Sequence, residues 1–220
     1  MPHEEQKKNG ERPIELNIQK NSYPLLQYMP LSMAEQLEHG RMVSNIAYLL
    51  GKELGLKEKY LHNLIVAGYF HDIGKMILEE DLNGNVLMVE KLSSIRQHPN
   101  KSSEILRSHG YNDTICEAVL HHHENFDGRG FPENLAGHRI PLEARILRVC
   151  DVFCARVSDR PYRSAFPTAE TLEMMIEELE WFDMKVFLAL QRMLPRNEKG
   201  EPELPAYQEE VKGVWKTLWH

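Results

Sequence analysis

The apolar positions of the chain recur at helical intervals over most of its length. In SMAEQLEHGRMVSNIAYLLGKELG, Val43, Ile46, Leu50 and Leu54 mark one helix face, Ser32 and Glu35 have capping-box spacing, and Gly55 ends the pattern. A second helix is predicted from about Glu58 to Met76, with Leu61, Leu64, Ile65 and Gly68 on one side. Three shorter helical patterns follow, over about 90–98, 99–109 and 112–124, divided by Pro99 and by the stop at Gly110. Pro141 suits the first turn of a helix through about Val157 that is apolar on nearly every side, as a buried central helix is. Two more helices are expected near 168–180 and 183–194. No alternating strand pattern competes with these, so the expected fold is all-α, a compact helical bundle.

The two ends read differently. Residues 1–30 show little periodicity, with two prolines in NSYPLLQYMP, and are expected to form a short N-terminal arm; residues 31–195 are expected to form the helical body. Within 196–220, PRNEKGEPELP has the composition of a linker, and Tyr207, Val211, Val214 and Leu218 make a C-terminal amphipathic helix that also carries Trp215 and Trp219.

Composition narrows the function classes. The 220 residues are 42% hydrophobic and 27% charged, enough for one buried core. No apolar run reaches membrane-spanning length and the first residues are too polar for a secretory signal, so a cytoplasmic protein without membrane attachment is expected. Cys116, Cys150 and Cys154 lack C-x-x-C spacing and fit reduced packing thiols. A formal charge of −7 argues against DNA as a partner, because phosphate backbones call for a basic face, while a small anion held by local cations remains compatible.

Against this background the polar residues on the inward stripes stand out. Glu35 and His39 are one turn apart and lead into Val43 and Ile46, so both are expected to point inward. His71, Asp72 and then Lys75 follow Gly68 in the second helix. Ile115 and Val119 predict His122 and His123 as inward positions, and Asp151 continues the series Ile140, Ala144, Leu147. His98 precedes Pro99 at a helix junction. A lone buried histidine is usually a satisfied core residue, and Glu35 alone would be half of a helix cap. Together, five histidines and three carboxylates brought near one another would leave many unpaired polar groups, at roughly 1 to 3 kcal/mol each. Metal ions remove that cost. Nitrogen and oxygen donors without thiolate suit iron, manganese or zinc, and adjacent His-Asp lets the carboxylate bridge two ions about 3.5 to 4 Å apart. His3, His62, His109, His138 and His220 extend no such stripe and read as surface or structural residues.

The stretches HDIGK at 71–75, HHENFDGRGFP at 122–132 and CDVFCARVSDRPYR at 150–163, with the intermediate HP at 98–99, resemble the HD-GYP family, a branch of the HD superfamily of metal-dependent phosphohydrolases. The resemblance runs from about Glu35 to Arg163 in order and spacing. It implies an HD-type bundle and a phosphodiesterase acting on cyclic di-GMP. The implied cofactors are two or three divalent ions, iron or manganese first, with zinc, nickel or magnesium as further candidates. Carried over by position, the ligands are Glu35, His39, His71, Asp72, His98, His122, His123 and Asp151, and the presence of Glu35 favours a third ion. Cations sharing a water lower its pKa towards neutrality and stabilise the departing oxygen of an in-line displacement. Asp72 and Lys75 are the expected catalytic pair, with the Lys75 charge directed at the phosphate; as a plain alternative, Lys75 is a lysine suited to a helix C-terminus. Arg160 and Arg163 resemble substrate-phosphate contacts, or are surface charges.

His121 is expected to be a spectator, because three successive helical side chains spread over about 200° and cannot all face one small site. In DGRGFP, Gly128 and Gly130 permit backbone conformations closed to other residues, so the loop with Phe131 can wall a substrate groove, with Asp127 as its anchor; as a plain alternative it is a simple turn. Three positions depart from the family pattern. Phe131 replaces the namesake tyrosine, Ser102 a glycine common after HP, and Cys154 an aspartate one turn beyond Asp151. Two rivals stay open: an HD-superfamily phosphohydrolase of another nucleotide or phosphate ester, and a non-catalytic module that binds the dinucleotide and signals through a partner; a homodimer or a signalling protein partner is compatible with each reading.

Overall fold

The computed structural model describes residues 31–81, 95–161 and 163–205. The elements are α1 (Met33–Glu53), α2 (Glu58–Phe70), α3 (Ile73–Asp81), α4 (His98–Ser108), α5 (Asp113–Leu120), α6 (Leu142–Val157), α7 (Thr168–Glu177) and α8 (Met184–Met193), with single 3₁₀ turns at Gly137–Arg139 and Leu179–Trp181. Among the described residues there is no sheet, only isolated bridges pairing Arg160 with Arg163 and Arg196 with Pro202. No described helix is long and apolar enough to cross a membrane. The N-terminal arm, most of the helix expected over 90–98 and the C-terminal amphipathic helix lie outside the described residues.

Local chemistry sets the boundaries. The Ser32 hydroxyl accepts from the Glu35 N–H at 3.3 Å while the Ser32 N–H donates to Glu35 Oε2 at 2.7 Å, a complete capping box at the start of α1. Asn112 caps α5 through the N–H of Ile115, and Asp183 caps α8 through that of Lys185. Pro141 is the residue before α6 rather than its first helical position.

Two expected helices are shorter than their periodicity. The segment read as one helix from 58 to 76 breaks at His71–Asp72 into α2 and α3, and the one read through 124 ends at Leu120. The His71 ring donates Nδ1–H to the Gly68 carbonyl at 2.8 Å, and His122 does the same to Val119 at 2.6 Å. Those carbonyls are the ones the next helical turn would need, so the imidazoles compete with the backbone.

The bundle closes around α6, which packs against α1, α5, α7 and α8, while α1 and α2 lie against each other. Val43, Leu50, Leu64, Val119, Leu147, Phe153 and Phe187 belong to one continuous buried core. Glycines let α1 and α2 touch backbone to backbone: a β-carbon on Gly40 would lie 2.5 Å from the Tyr69 carbonyl oxygen, and one on Gly68 2.9 Å from Ser44 Cα. Ser44 seals the contact by donating to the Ile65 carbonyl at 2.8 Å. This crossing brings His39, beside Gly40, within 5.3 Å of His71, ring centre to ring centre. Cys116, Cys150 and Cys154 are free buried thiols, as expected.

Candidate metal centre

At one end of this packing, ligand-type atoms gather in two sets. Asp72, His98, His122 and His123 form one; His39, His71 and Asp151 form the other; within each set the donor atoms lie within 4.8 Å of one another. α1 supplies His39, the α2–α3 junction His71 and Asp72, the start of α4 His98, the turn after α5 His122 and His123, and α6 Asp151. Asp72 stands between the sets, with Oδ1 at 3.1 Å from His98 Nε2 and Oδ2 at 3.3 Å from His71 Nε2. Asp151 Oδ1 is 3.0 Å from His39 Nε2 and 3.7 Å from His71 Nε2.

The donor set fits divalent ions on the structure's own evidence. His98 donates Nδ1–H to the Ile95 carbonyl at 2.6 Å and His122 donates to Val119, which leaves Nε2 of each ring as the free lone pair, and these two atoms face each other at 3.3 Å. His123 Nε2 adds a third nitrogen 3.2 Å from His98 Nε2. Lone pairs aimed at one another need a cation or proton between them. His71 Nε2 and Asp72 Oδ1 are buried without a hydrogen-bond partner. With only N and O donors, the arrangement suits iron, manganese or zinc.

Electrostatics follow the same division. Burial pushes the Asp72 carboxyl up, but the His71 and Lys75 charges beside it outweigh that and hold it well below the usual range. Asp151 is likewise held well below against burial by its bond to His39 and by the His71 ring beside it. His71 is drawn down by burial and up, more strongly, by Asp72 and Asp151, reaching about 10. Burial, then neighbouring positive charge, pushes His122 well below its usual value, and burial first lowers His123, His98 and His39. The centre is thus a compact set of neutral bases around two carboxylates and one imidazolium whose charge a metal ion can replace.

Seven of the eight expected ligands are brought together, and Glu35 is not. Its side chain is exposed and engaged by the Ser32 N–H and hydroxyl, both at 2.7 Å. The inward reading of Glu35 fails because the N-cap of α1, Ser32, lies only three residues earlier, where satisfying the helix end claims the carboxylate. The argument for a third ion goes with it. Lys75 Nζ lies 2.6 Å from Asp72 Oδ2, so its charge sits at the centre. Arg163 differs from expectation: its guanidinium donates to the carbonyls of Ala155, Arg156, Ser158 and Ser164 and stacks on Phe166 at 4.7 Å. It finishes the C-terminal end of α6, where a cation complements exposed carbonyls, instead of facing a phosphate. Arg160 reaches inward, with Nη2 3.3 Å from His39 Nδ1.

The loop after the histidines folds back on them. Gly128 has φ of +84°, and a β-carbon on Gly130 would lie 2.2 Å from the Asn125 nitrogen and 2.5 Å from the His123 carbonyl oxygen, so Gly130 is required by proximity rather than by φ. The Phe131 ring stacks on His123 with centroids 4.8 Å apart, and the exposed Arg96 lies over the same ring at 4.9 Å. Asp127 anchors the turn by accepting from the Arg129 N–H at 2.9 Å. His121 is buried yet belongs to neither set; its Nδ1 donates to the Glu117 carbonyl and its Nε2 is 3.4 Å from Glu133 Oε2. His62, His109 and His138 are exposed.

Periodicity missed three contributors. Buried Glu124 accepts the Glu133 N–H at 2.7 Å and pins the loop closed. Its only signal was its place directly after the histidine run. Arg96 gave none. Ser102, noted as a departure, is buried and accepts the Gly74 N–H at 2.9 Å, which ties the start of α3 to α4 beside Asp72 and His98. Cys154, the other departure, is fully buried in the core, and burial pushes its thiol well up.

Residues 10–186 match the family model described as the HD domain. The chain is 32% identical over 181 residues to the cyclic di-GMP phosphodiesterase PA4108 of Pseudomonas aeruginosa, covering 80% of this chain and 44% of that protein. It is also 32% identical over 154 residues to 3'3'-cGAMP-specific phosphodiesterase 1 of Vibrio cholerae, covering 68% of this chain and 36% of that one. The chain thus spans less than half the length of these relatives. Among solved structures its fold is similar to that of Bd1817, an HDG"Y"P protein from Bdellovibrio bacteriovorus, with TM-score 0.59 at 19% identity over 80% of this chain and 58% of that one.

Proposed function

This chain belongs to the HD-domain family, in its HD-GYP-type branch, and on that premise we propose that it is a metal-dependent phosphodiesterase that hydrolyses cyclic di-GMP to the linear dinucleotide, GMP or both. The observation that carries the reading is the convergence of the Nε2 atoms of His98, His122 and His123 on one another and on Asp72 Oδ1. Asp72, His98, His122 and His123 would hold one ion and His39, His71 and Asp151 the other, with Asp72 facing both sets, and iron or manganese as the ions. Divalent ions held there would supply Lewis-acid charge to lower the pKa of a water and offset charge on the departing ribose oxygen.

The chain's own groups complete the site. Lys75 offers a positive charge to the phosphate oxygens as charge develops on them, and its Asp72 contact fixes where that charge sits. Phe131 gives the groove an apolar wall against His123, and the turns at Gly128 and Gly130 let the loop lie close enough to form it. Arg96, held over Phe131, is a second cation at the mouth. The same reading places the protein in the cytoplasm, as a homodimer or with a signalling partner.

A relative specific for 3'3'-cGAMP at the same identity supports a second substrate reading, in which one base differs and the phosphodiester chemistry is the same. Metal analysis with an anaerobic turnover assay on both dinucleotides tests the proposal. We expect about two ions per chain, as two-metal phosphodiester chemistry requires, with hydrolysis of cyclic di-GMP the faster. Turnover of 3'3'-cGAMP alone moves the substrate assignment, and saturable binding of either without turnover in the iron- or manganese-loaded protein rejects the enzyme.

A further inference from the structure

The histidines of the centre differ in what their Nδ1 atoms face. His71, His98 and His122 each turn Nδ1 to a main-chain carbonyl, of Gly68 at 2.8 Å, Ile95 at 2.6 Å and Val119 at 2.6 Å. A carbonyl only accepts, so the proton is fixed on Nδ1 and Nε2 is left as the ligating atom. His39 is built the other way. Its Nδ1 lies 3.3 Å from Arg160 Nη2, and a guanidinium only donates. Nδ1 must therefore accept, the ring proton sits on Nε2, and that proton meets Asp151 Oδ1 at 3.0 Å. Ligation of an ion through His39 Nε2 requires the opposite tautomer, with a proton on Nδ1 pointing at an N–H of Arg160.

We propose that Arg160 acts as a brake on ion binding at the His39, His71 and Asp151 position, so that this position fills second and more weakly than the one formed by Asp72, His98, His122 and His123, and filling it expels the Arg160 guanidinium from His39. The inference rests on the metal reading above. Arg160 is then a positioning residue in the partly loaded protein, and a mobile cation beside the substrate groove only once both positions are filled. Its other holds are a long contact of Nε with the Ala155 carbonyl at 3.4 Å and a charge attraction to the exposed Glu35 carboxylate, which gives the released guanidinium a nearby counter-charge. Simple charge repulsion acts in the same direction, and a test has to separate the two.

Stepwise Mn²⁺ titration of the metal-free protein, following free Mn²⁺ by EPR, does so with Arg160→Met and Arg160→Gln. Both remove the charge, but glutamine can turn its amide oxygen to accept from Nδ1–H, the contact that other ligating histidines have. The wild type is expected to show two steps. The second tightens about tenfold in Arg160→Met and further in Arg160→Gln, within the range that partners of metal-bound histidines command, and the first step does not move. A single step in the wild type, a second step unmoved in both variants, or equal tightening in both overturns the proposal. A wild type that binds no Mn²⁺ fails the metal reading itself, a different outcome. Nitrogen-detected NMR of metal-free wild type gives an independent readout: His39 should carry its proton on Nε2, and a proton on Nδ1 overturns the inference without any variant.

Discussion

The same helices build two regions of opposite character. Along α1, α2 and α6, the stripes that bury Val43, Leu64 and Leu147 in the core carry His39, His71 and Asp151 at the other end, and α5 runs from buried Val119 into His122. The apolar region satisfies itself: its side chains are buried and need no partner beyond one another. The polar region does not, since it leaves His71 Nε2 and Asp72 Oδ1 without hydrogen bonds and sets nitrogen lone pairs face to face. The core is thus complete in itself, whereas the centre has unpartnered polar atoms that a bound cation or proton would satisfy.

That separation can be broken or sharpened by experiment. The largest effect is expected from Asp72→Ala, which removes the one carboxylate facing both sets: turnover should fall to background and metal content should drop by elemental analysis. Retention of both would mean that Asp72 is not shared. Phe187→Ala, in the core on α8, should cost about 3–5 kcal/mol in denaturant unfolding, while the folded fraction still takes up its full metal complement. Lost metal uptake there would show that the two regions are one. Adding an ion at about 100 times its dissociation constant should raise stability by about 2.7 kcal/mol per ion bound only to the folded state, and a chelator should reverse it.

The metal-free protein should also show a stability maximum near neutral pH. Burial holds His39, His98, His122 and His123 below their ordinary value of 6.5, so the unfolded chain binds more protons below that pH, and stability is lost as the medium is acidified from there. His71 is raised from 6.5 to about 10, so its contribution is complete below 6.5 and disappears as pH climbs through 10. Asp72 and Asp151, held below 3.8, add a loss at the acid extreme. Melting temperatures in chelator from pH 4 to 10 test this, and a flat profile would contradict the electrostatic picture. The smallest change is expected for His121→Ala: metal content and turnover nearly unchanged, with about 1 kcal/mol of stability lost through its bond to the Glu117 carbonyl.

The stripes are legible in the sequence because burial imposes a period on side chains, and that period alone locates His39, His71, Asp151 and the core. Periodicity also placed His122 and His123, though for a different reason than the real one, since both act from a turn beyond α5 and not from its face. The breaks at Asp72 and after Leu120 were hidden because an imidazole taking a main-chain carbonyl leaves no trace in the apolar pattern. Glu35 misled because one residue type serves equally as cap and ligand, and its distance from the helix start decided between them. Arg163 and Arg96 lie outside any repeat, where long flexible side chains choose partners that only three-dimensional placement reveals.

The crossing of α1 and α2 carries a further consequence. At Gly40 and Gly68 the absence of two methyl groups sets the width of the candidate centre, since any thicker residue would pry the helices apart and widen the gap between the His39 and His71 imidazoles. On the proposed metal reading, a designer who wished to retune this protein for a larger or smaller ion could begin there, leaving every candidate ligand as it is.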